Sequence, residues 1–289
     1  MKKLLLLAFA FTGALCAQKP FEVKVTGHGS PMILIPGLAS AGETWDTTVA
    51  HYRDRYECHV LTLAGFAGLP RIPAPMLDTV RDSLADYIRK NKLEKPIIVG
   101  HSLGGFLALS LAVKYPDMPG KLVIVDSYPF LAGAMSPGAT LAEMKQSIAA
   151  TAQYFRSQDQ DMYLRMTKSG LQTRSMVTKD SDLERLIAWG LASDRTAVAD
   201  AMIELMSTDL RDDLGRIHSP ALVMATWIGY KDYTTREKIE SGLHQQYAKL
   251  DGARLRIADT ARHFIMWDDP NWMFGQMDEF LSDRTAARK

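Results

Sequence analysis

The stretch Val99-Gly100-His101-Ser102-Leu103-Gly104-Gly105 holds a serine with glycine two positions before it and two after it. Lys95 to Val99 reads as a short buried strand and Phe106 to Tyr115 as a helix, so the serine falls on a strand-to-helix turn. A turn that sharp needs small neighbours, because side chains at Gly100 and Gly104 would collide across it. It exposes the hydroxyl and puts the Leu103 N–H at a helix start, where unsatisfied donors and the helix dipole favour a developing oxyanion. The bare five-residue pattern also arises in ordinary turns. Its weight here comes from the apolar Ile97, Ile98 and Val99 before it, and from Gly105, Ala108 and Ala112, which thin one helix face enough to pack on a sheet.

Length and composition narrow the classes. A chain of 289 residues is near the upper size of one α/β domain, or of a core carrying one inserted module, and its 47% hydrophobic content supports a sizeable core. Lys and Arg number 34 against 33 Asp and Glu, which gives no basic footprint for nucleic acid or an anionic membrane. A small-molecule substrate is the expected partner, and the sequence leaves the oligomeric state open.

Residues 1–17 read as a secretory signal peptide: Lys2 and Lys3 make a positive start, and Leu4 to Ala14 is an apolar run short for a bilayer span. Ala17 suits cleavage before Gln18, and Leu15 is too bulky for the lipoprotein signal that Cys16 would otherwise raise. The expectation is an exported protein, periplasmic or secreted, with no stable membrane insertion after cleavage. Without the leader, 32 basic residues face 33 acidic ones and Cys58 is the one cysteine left, so no internal disulfide can form. Cys58 sits in the apolar run Tyr56 to Leu63 and reads as a core residue of a buried strand.

Strand-like segments at Phe21–Thr26, Pro31–Ile35, Tyr56–Leu63, Pro96–Val99, Lys121–Val125, Ala221–Thr226 and Arg254–Ala258 alternate with helical ones. That order predicts an α/β fold, a mostly parallel central sheet with helices on both faces. Between residues 130 and 215 strand patterns vanish and helical spacing takes over, as in Val198, Met202, Leu205 and Met206 behind a Ser193 N-cap. The division expected is a core of residues 18–129 and 216–289 with a helical cap inserted at 130–215. The cap's Met162, Met166, Met176, Met202 and Met206, with Tyr154, Phe155, Tyr163 and Trp189, read first as packing and collectively as an apolar ceiling to a pocket.

Gly27-His28-Gly29-Ser30-Pro31 leading into Met32-Ile33-Leu34-Ile35-Pro36-Gly37-Leu38, then the Ser102 turn, then Arg262-His263-Phe264, resembles the α/β-hydrolase superfamily. The likeness is to its capped esterase, lactonase and peptidase-like branch. It covers nearly the whole chain after the leader, the insert apart. The resemblance implies a nucleophile, acid and base in the chain order Ser, Asp or Glu, His. Of the later histidines, His218 precedes a strand and His244 lies in a polar helical stretch, whereas His263 follows the last strand and becomes the base. The family places the acid after the sixth strand, where Asp232 is the first carboxylate, although Trp227 to Lys231 make that connection longer than usual. Asp126, ending the fifth strand, is the alternative acid, and Asp259 a third. Asp268 and Asp269 read as caps of the terminal helix near Pro270.

The oxyanion hole implied is the backbone N–H of Leu38 and of Leu103, with Pro36 standing where the family carries histidine and Ala64 where it often has an acid. The reaction expected is cleavage of a small, largely apolar carboxylic ester through an acyl-enzyme. Lactonase, carbon–carbon hydrolase or aminoacyl peptidase chemistry would use the same groups, and a non-enzymatic binding protein on this fold would predict a broken triad. Serine at the turn argues against the aspartyl-ester chemistry of haloalkane dehalogenases and epoxide hydrolases. With no His-Glu-x-x-His helix, Cys-x-x-Cys pair or phosphate loop, the sequence implies no metal and no cofactor.

Overall fold

A computed structural model describes residues 18–136, 138–171 and 173–283, so the leader read at residues 1–17 lies outside them. The described strands are β1 (Phe21–Gly27), β2 (Ser30–Ile35), β3 (Tyr56–Leu63), β4 (Ile97–His101), β5 (Lys121–Val125), β6 (Ala221–Thr226) and β7 (Arg254–Ala258). They form one sheet in the order β1-β3-β2-β4-β5-β6-β7, in which β1 alone runs antiparallel to its neighbour. The helices are α1 (Asp46–Tyr52), α2 (Met76–Lys90), α3 (Leu103–Lys114), α4 (Leu131–Met135), α5 (Leu141–Ser157), α6 (Gln160–Ser169), α7 (Asp180–Ala192), α8 (Arg195–Ser207), α9 (Arg236–Gln246), α10 (Ile265–Asp268) and α11 (Pro270–Ser282). Among the described residues no helix is long and apolar enough to cross a membrane.

The strands are apolar on both faces because helices cover both, and the period of two sorts their side chains cleanly. Ile33, Ile35, Ile98, Leu122, Ile124 and Val223 join one core with side chains of α2 and α3. Met32, Leu34, Val99, Val123, Val125 and Met224 join the other with Tyr52 of α1 and Met273, Met277 and Phe280 of α11. Cys58 is fully buried in the second core, and burial pushes its thiol up to about 11. That suits an inert core residue.

Chain order places the site. From β2 the chain steps outward to β3, then returns to the other side of β2 to form β4, so the crevice at the carboxyl ends of β2 and β4 is a topological switch point. Ligands of open α/β sheets bind in such crevices.

Between β5 and β6 the described chain is helical, α4 to α8 with 3-10 turns at Arg174–Met176 and Arg211–Arg216. Thr140 and Glu143 close a reciprocal capping box at the start of α5, a signal present in the sequence as Thr-x-x-Glu. The cap of α8 is Asp194, whose carboxylate accepts the Ala197 N–H at 2.9 Å. Ser193, expected in that role, instead accepts the Ala67 N–H at 2.9 Å and donates to the Trp189 carbonyl at 2.7 Å. The Glu204 carboxylate of α8 accepts the Met76 and Leu77 N–H groups at 2.8 and 2.7 Å, supplying from the insert the cap that Pro75 cannot give α2. Hydrogen bonds to an ionised group are the stronger kind, so α8 is fastened to the start of α2.

Candidate active site

β4 runs into Ser102, which turns the chain with φ 53° and ψ −121° before α3 begins at Leu103. A positive φ on a residue with a Cβ costs about 1–3 kcal/mol and persists only where the surroundings impose it. Here they do: the Ser102 N–H is held by the Val125 carbonyl at 2.9 Å, and its own carbonyl accepts the Gly105 and Phe106 N–H groups at 2.9 and 3.1 Å. A Cβ on Gly100 would stand 2.2 Å from the Gly104 carbonyl oxygen, and one on Gly104 would stand 2.2 Å from that of Ile35. Both obstacles are backbone and cannot swing aside. Gly104→Ala is therefore expected to cost at least the ~3 kcal/mol upper end of ordinary overpacking, read as a lower denaturation midpoint in urea.

The same close approach brings the loop after β2 to the serine. The first turn of α3 abuts Ile35 and Pro36, and a Cβ on Gly37 would lie 3.2 Å from that of Ser102. The two N–H groups expected as oxyanion donors, those of Leu38 and Leu103, have no protein acceptor among the described residues. The first of them belongs to a half-buried residue beside the serine, the second to the first residue of a helix.

His263 follows β7 and donates or accepts through Nδ1 with Asp126 Oδ2 at 2.5 Å. A carboxylate can only accept, so Nδ1 carries a proton, and in the neutral ring Nε2 then keeps its lone pair. Both side chains are sheltered, 15% and 5% exposed. Asp126 itself sits just past β5 with φ 44°, a conformation aspartate tolerates better than most residues. Thr226, the last residue of β6, holds its carboxylate: the Thr226 N–H donates to Oδ1 at 3.0 Å and the Thr226 hydroxyl to Oδ2 at 3.2 Å.

The carboxylate that this geometry puts against the histidine is Asp126, the alternative, and not Asp232. After β6 the chain folds into a 3-10 turn at Ile228–Tyr230, which uses up the extra length of that connection and leaves Asp232 exposed, with no hydrogen bond or ion pair among the described residues. Asp259 is also occupied elsewhere, accepting from Trp227 Nε1 at 3.0 Å and Arg236 Nε at 2.7 Å. His218 pairs with Asp117 at the surface and His244 is exposed on α9.

The charge of Asp126 is felt by its neighbours. Burial first, and then that charge, pushes the Tyr128 phenol up, and burial, then Tyr128 and Asp126, push up that of Tyr247, so both stay neutral. Tyr247 donates to the Ser127 carbonyl at 2.8 Å, steadying the residue after Asp126.

Three further residues, silent in the sequence, support the histidine. His101 Nε2 lies 3.0 Å from the His263 carbonyl oxygen. Asp268 is not a helix cap: its carboxylate accepts the Arg262 N–H at 2.9 Å and the Thr178 N–H at 3.0 Å, while Asp269 caps α11 through the Trp272 N–H. The Arg262 guanidinium donates to the Arg174 and Val177 carbonyls at 3.0 and 2.7 Å. Asp268 and Arg262 thus tie the loop bearing His263 to residues 174–178 of the insert. No local pattern announces contacts across about 90 residues. The insert's Met176 and Trp189 pack in the core that holds Phe264 and Trp267, whereas Met202 and Met206 pack with Phe130 and Ile148. Among the described residues no group of three His, Cys, Asp or Glu side chains is placed to hold a metal ion.

A solved esterase from Exiguobacterium antarcticum has the same fold, with a TM-score of 0.74 at 17% identity over 91% of this chain and 96% of that one. A pimeloyl-[acyl-carrier protein] methyl ester esterase of Nitrosomonas europaea is 25% identical over 70% of this chain and 79% of its own length. The enzyme of that name from Vibrio cholerae is 31% identical over 106 residues, 37% of this chain and 40% of the relative, less than half the relative's length. The sequence model of the alpha/beta hydrolase family matches residues 32–275. That span takes in most of β2, all of β3 to β7, the Ser102 turn, Asp126 and His263, and the chain belongs to the alpha/beta hydrolase family.

Proposed function

We propose that the protein hydrolyses small, largely apolar carboxylic esters through an acyl-enzyme on Ser102, with His263 as the base and Asp126 as the acid that orients it. The observation that carries this reading is the His263–Asp126 hydrogen bond, because it leaves Nε2 of His263 as the unprotonated nitrogen that a base needs. Ser102 Oγ bonds to the ester carbonyl carbon as its proton passes to Nε2, and the carbonyl oxygen takes the negative charge between the Leu38 and Leu103 N–H groups. When the carbonyl re-forms, the ester C–O bond breaks and the leaving alcohol takes the proton from Nε2. Water then repeats the sequence on the acyl-enzyme, releasing the carboxylic acid and free Ser102. Asp126 stays ionised throughout and stabilises the imidazolium.

The relatives named as methyl ester esterases support an ester as the bond cleaved. An apolar acyl group is supported by the Phe264, Trp267, Met176 and Trp189 cluster beside the histidine loop.

A fluorophosphonate probe tests the machinery and an ester panel tests the substrate. Folded wild-type protein should be labelled at Ser102, and p-nitrophenyl esters of medium chain length should outrun acetate, lactones and aminoacyl amides. Absence of labelling removes the serine hydrolase reading. Aminoacyl amides cleaved as fast as the esters would replace the ester reading with a peptidase one.

A further inference from the structure

His101 takes no part in the steps above, yet it is fully buried at the centre of the site. Its ring lies 4.5 Å from that of His263 and 4.5 Å from that of Phe264, with Trp45 edge-on at 6.5 Å. A carbonyl oxygen only accepts, so the 3.0 Å contact with the His263 main chain puts the ring proton on Nε2. Nδ1 is then the bare nitrogen, and it is buried without a hydrogen-bond partner. On its side of the ring stands Gly37: a Cβ there would be 3.1 Å from Nδ1, 3.4 Å from Cε1 and 3.2 Å from the Ser102 Cβ.

Given the Ser102–His263 chemistry proposed above, we infer that His101 is a positioning residue that fixes the base loop and the oxyanion loop against each other. Its Nε2–H grips the main chain of His263, and the opposite edge of its ring seats Gly37, the residue before the Leu38 donor. An imidazole is suited to this because it is flat, rigid and able to donate from one edge while presenting an edge without a proton to the other. Phenylalanine would fill the same space without an unpaired nitrogen, so a buried Nδ1 without a partner, which costs free energy, makes sense only if the grip on His263 is used. The ring must also stay neutral, since a second cation would oppose the imidazolium that forms on His263. Burial, and then the nearness of His263, hold His101 well below the ordinary histidine value. Gly37 follows from the same packing, for any side chain there would push on the ring and on the serine together.

The test compares His101→Phe, His101→Gln and Gly37→Ala with wild type, by Ser102 labelling with a fluorophosphonate and by steady-state hydrolysis of a p-nitrophenyl ester. A misplacement of the base near 1 Å costs about 10²-fold, so His101→Phe should lower kcat by about 10- to 100-fold with KM nearly unchanged, and slow labelling equally. His101→Gln, which can return an N–H to the His263 carbonyl, should recover most of that loss. Gly37→Ala should slow labelling in the same way without removing any hydrogen-bonding group of the site, and it carries the test if His101→Phe does not fold. His101→Phe at wild-type rates overturns the inference, as does a His101→Gln variant no faster than His101→Phe. Gly37→Ala at wild-type rates overturns the link to the oxyanion loop. All of these outcomes presuppose a wild-type enzyme labelled at Ser102; its failure to react would remove the hydrolase reading instead.

Discussion

Ser102→Ala is expected to lower ester turnover by about 10⁶, the loss typical when a serine nucleophile is removed from an otherwise complete triad. Nothing else in the site supplies a replacement, because His263 Nε2 has only water to activate and the oxyanion donors alone retain a small part of the catalysis. The fold should be unaffected, since the Ser102 backbone bonds to Val125, Gly105 and Phe106 do not involve the hydroxyl. Alanine keeps the Cβ and with it the strain of φ 53°. Ser102→Gly separates the two effects. It should be equally inactive yet more stable by roughly 1 kcal/mol, because relief of about 1–3 kcal/mol of backbone strain outweighs the 0.5–1 kcal/mol or so that glycine's extra freedom in the unfolded chain takes back. Urea denaturation of the three proteins reads the stability and ester hydrolysis the activity. A glycine variant less stable than wild type would mean that the turn stores no strain.

The parts of this arrangement that were legible in the sequence are those with a local cause. Each of the seven strands lies where an apolar run bounded by turn residues placed it, and the glycines around Ser102 announce a close approach that the backbone oxygens of Gly104 and Ile35 make literal. β1 runs one residue past its expected end, to Gly27, and β2 begins one earlier, at Ser30; the larger difference is at β4, which continues through Gly100 and His101 because both still pair with β5, opposite Ile124 and Val125. Glycine and histidine carry little strand signal of their own, so this extension is a tertiary effect. The contacts that escaped reading are long-range, His101 to His263 and Asp268 to Thr178, and that of Asp126 to His263 stood only as the alternative. Chain order narrowed the acid to a few carboxylates but could not say which loop would curl away. The 3-10 turn at Ile228–Tyr230 leaves Asp232 exposed, while Thr226, whose N–H and hydroxyl reach back to the neighbouring strand's aspartate, holds Asp126 beside the histidine.

Asp126→Asn should lower kcat by about 10⁴, whereas Asp232→Asn should leave it unchanged. The size of the first effect follows from which way the amide must face. The Thr226 N–H lies 3.0 Å from Oδ1 and can only donate, so an asparagine would keep its carbonyl oxygen there and turn its NH2 towards Thr226 Oγ1 and His263 Nδ1. The Thr226 hydroxyl can rotate to accept from that NH2. Nδ1 of His263 can accept too, but only by giving up its proton, and the neutral ring then carries its proton on Nε2. That is the wrong tautomer: the nitrogen meant to take the serine proton already holds one. The imidazolium would in addition lose the ionised partner that stabilises it in the transition state. Stability should move by no more than about 1 kcal/mol, because asparagine adopts the φ 44° backbone as readily as aspartate and a donor or acceptor remains opposite each partner. Asp232, exposed and without a partner among the described residues, offers no comparable route to the histidine. Steady-state rates of the two variants, with denaturation curves to show both folded, distinguish the acids directly. An active Asp126→Asn beside an inactive Asp232→Asn would mean that the loop after β6 rearranges to bring Asp232 inward during turnover.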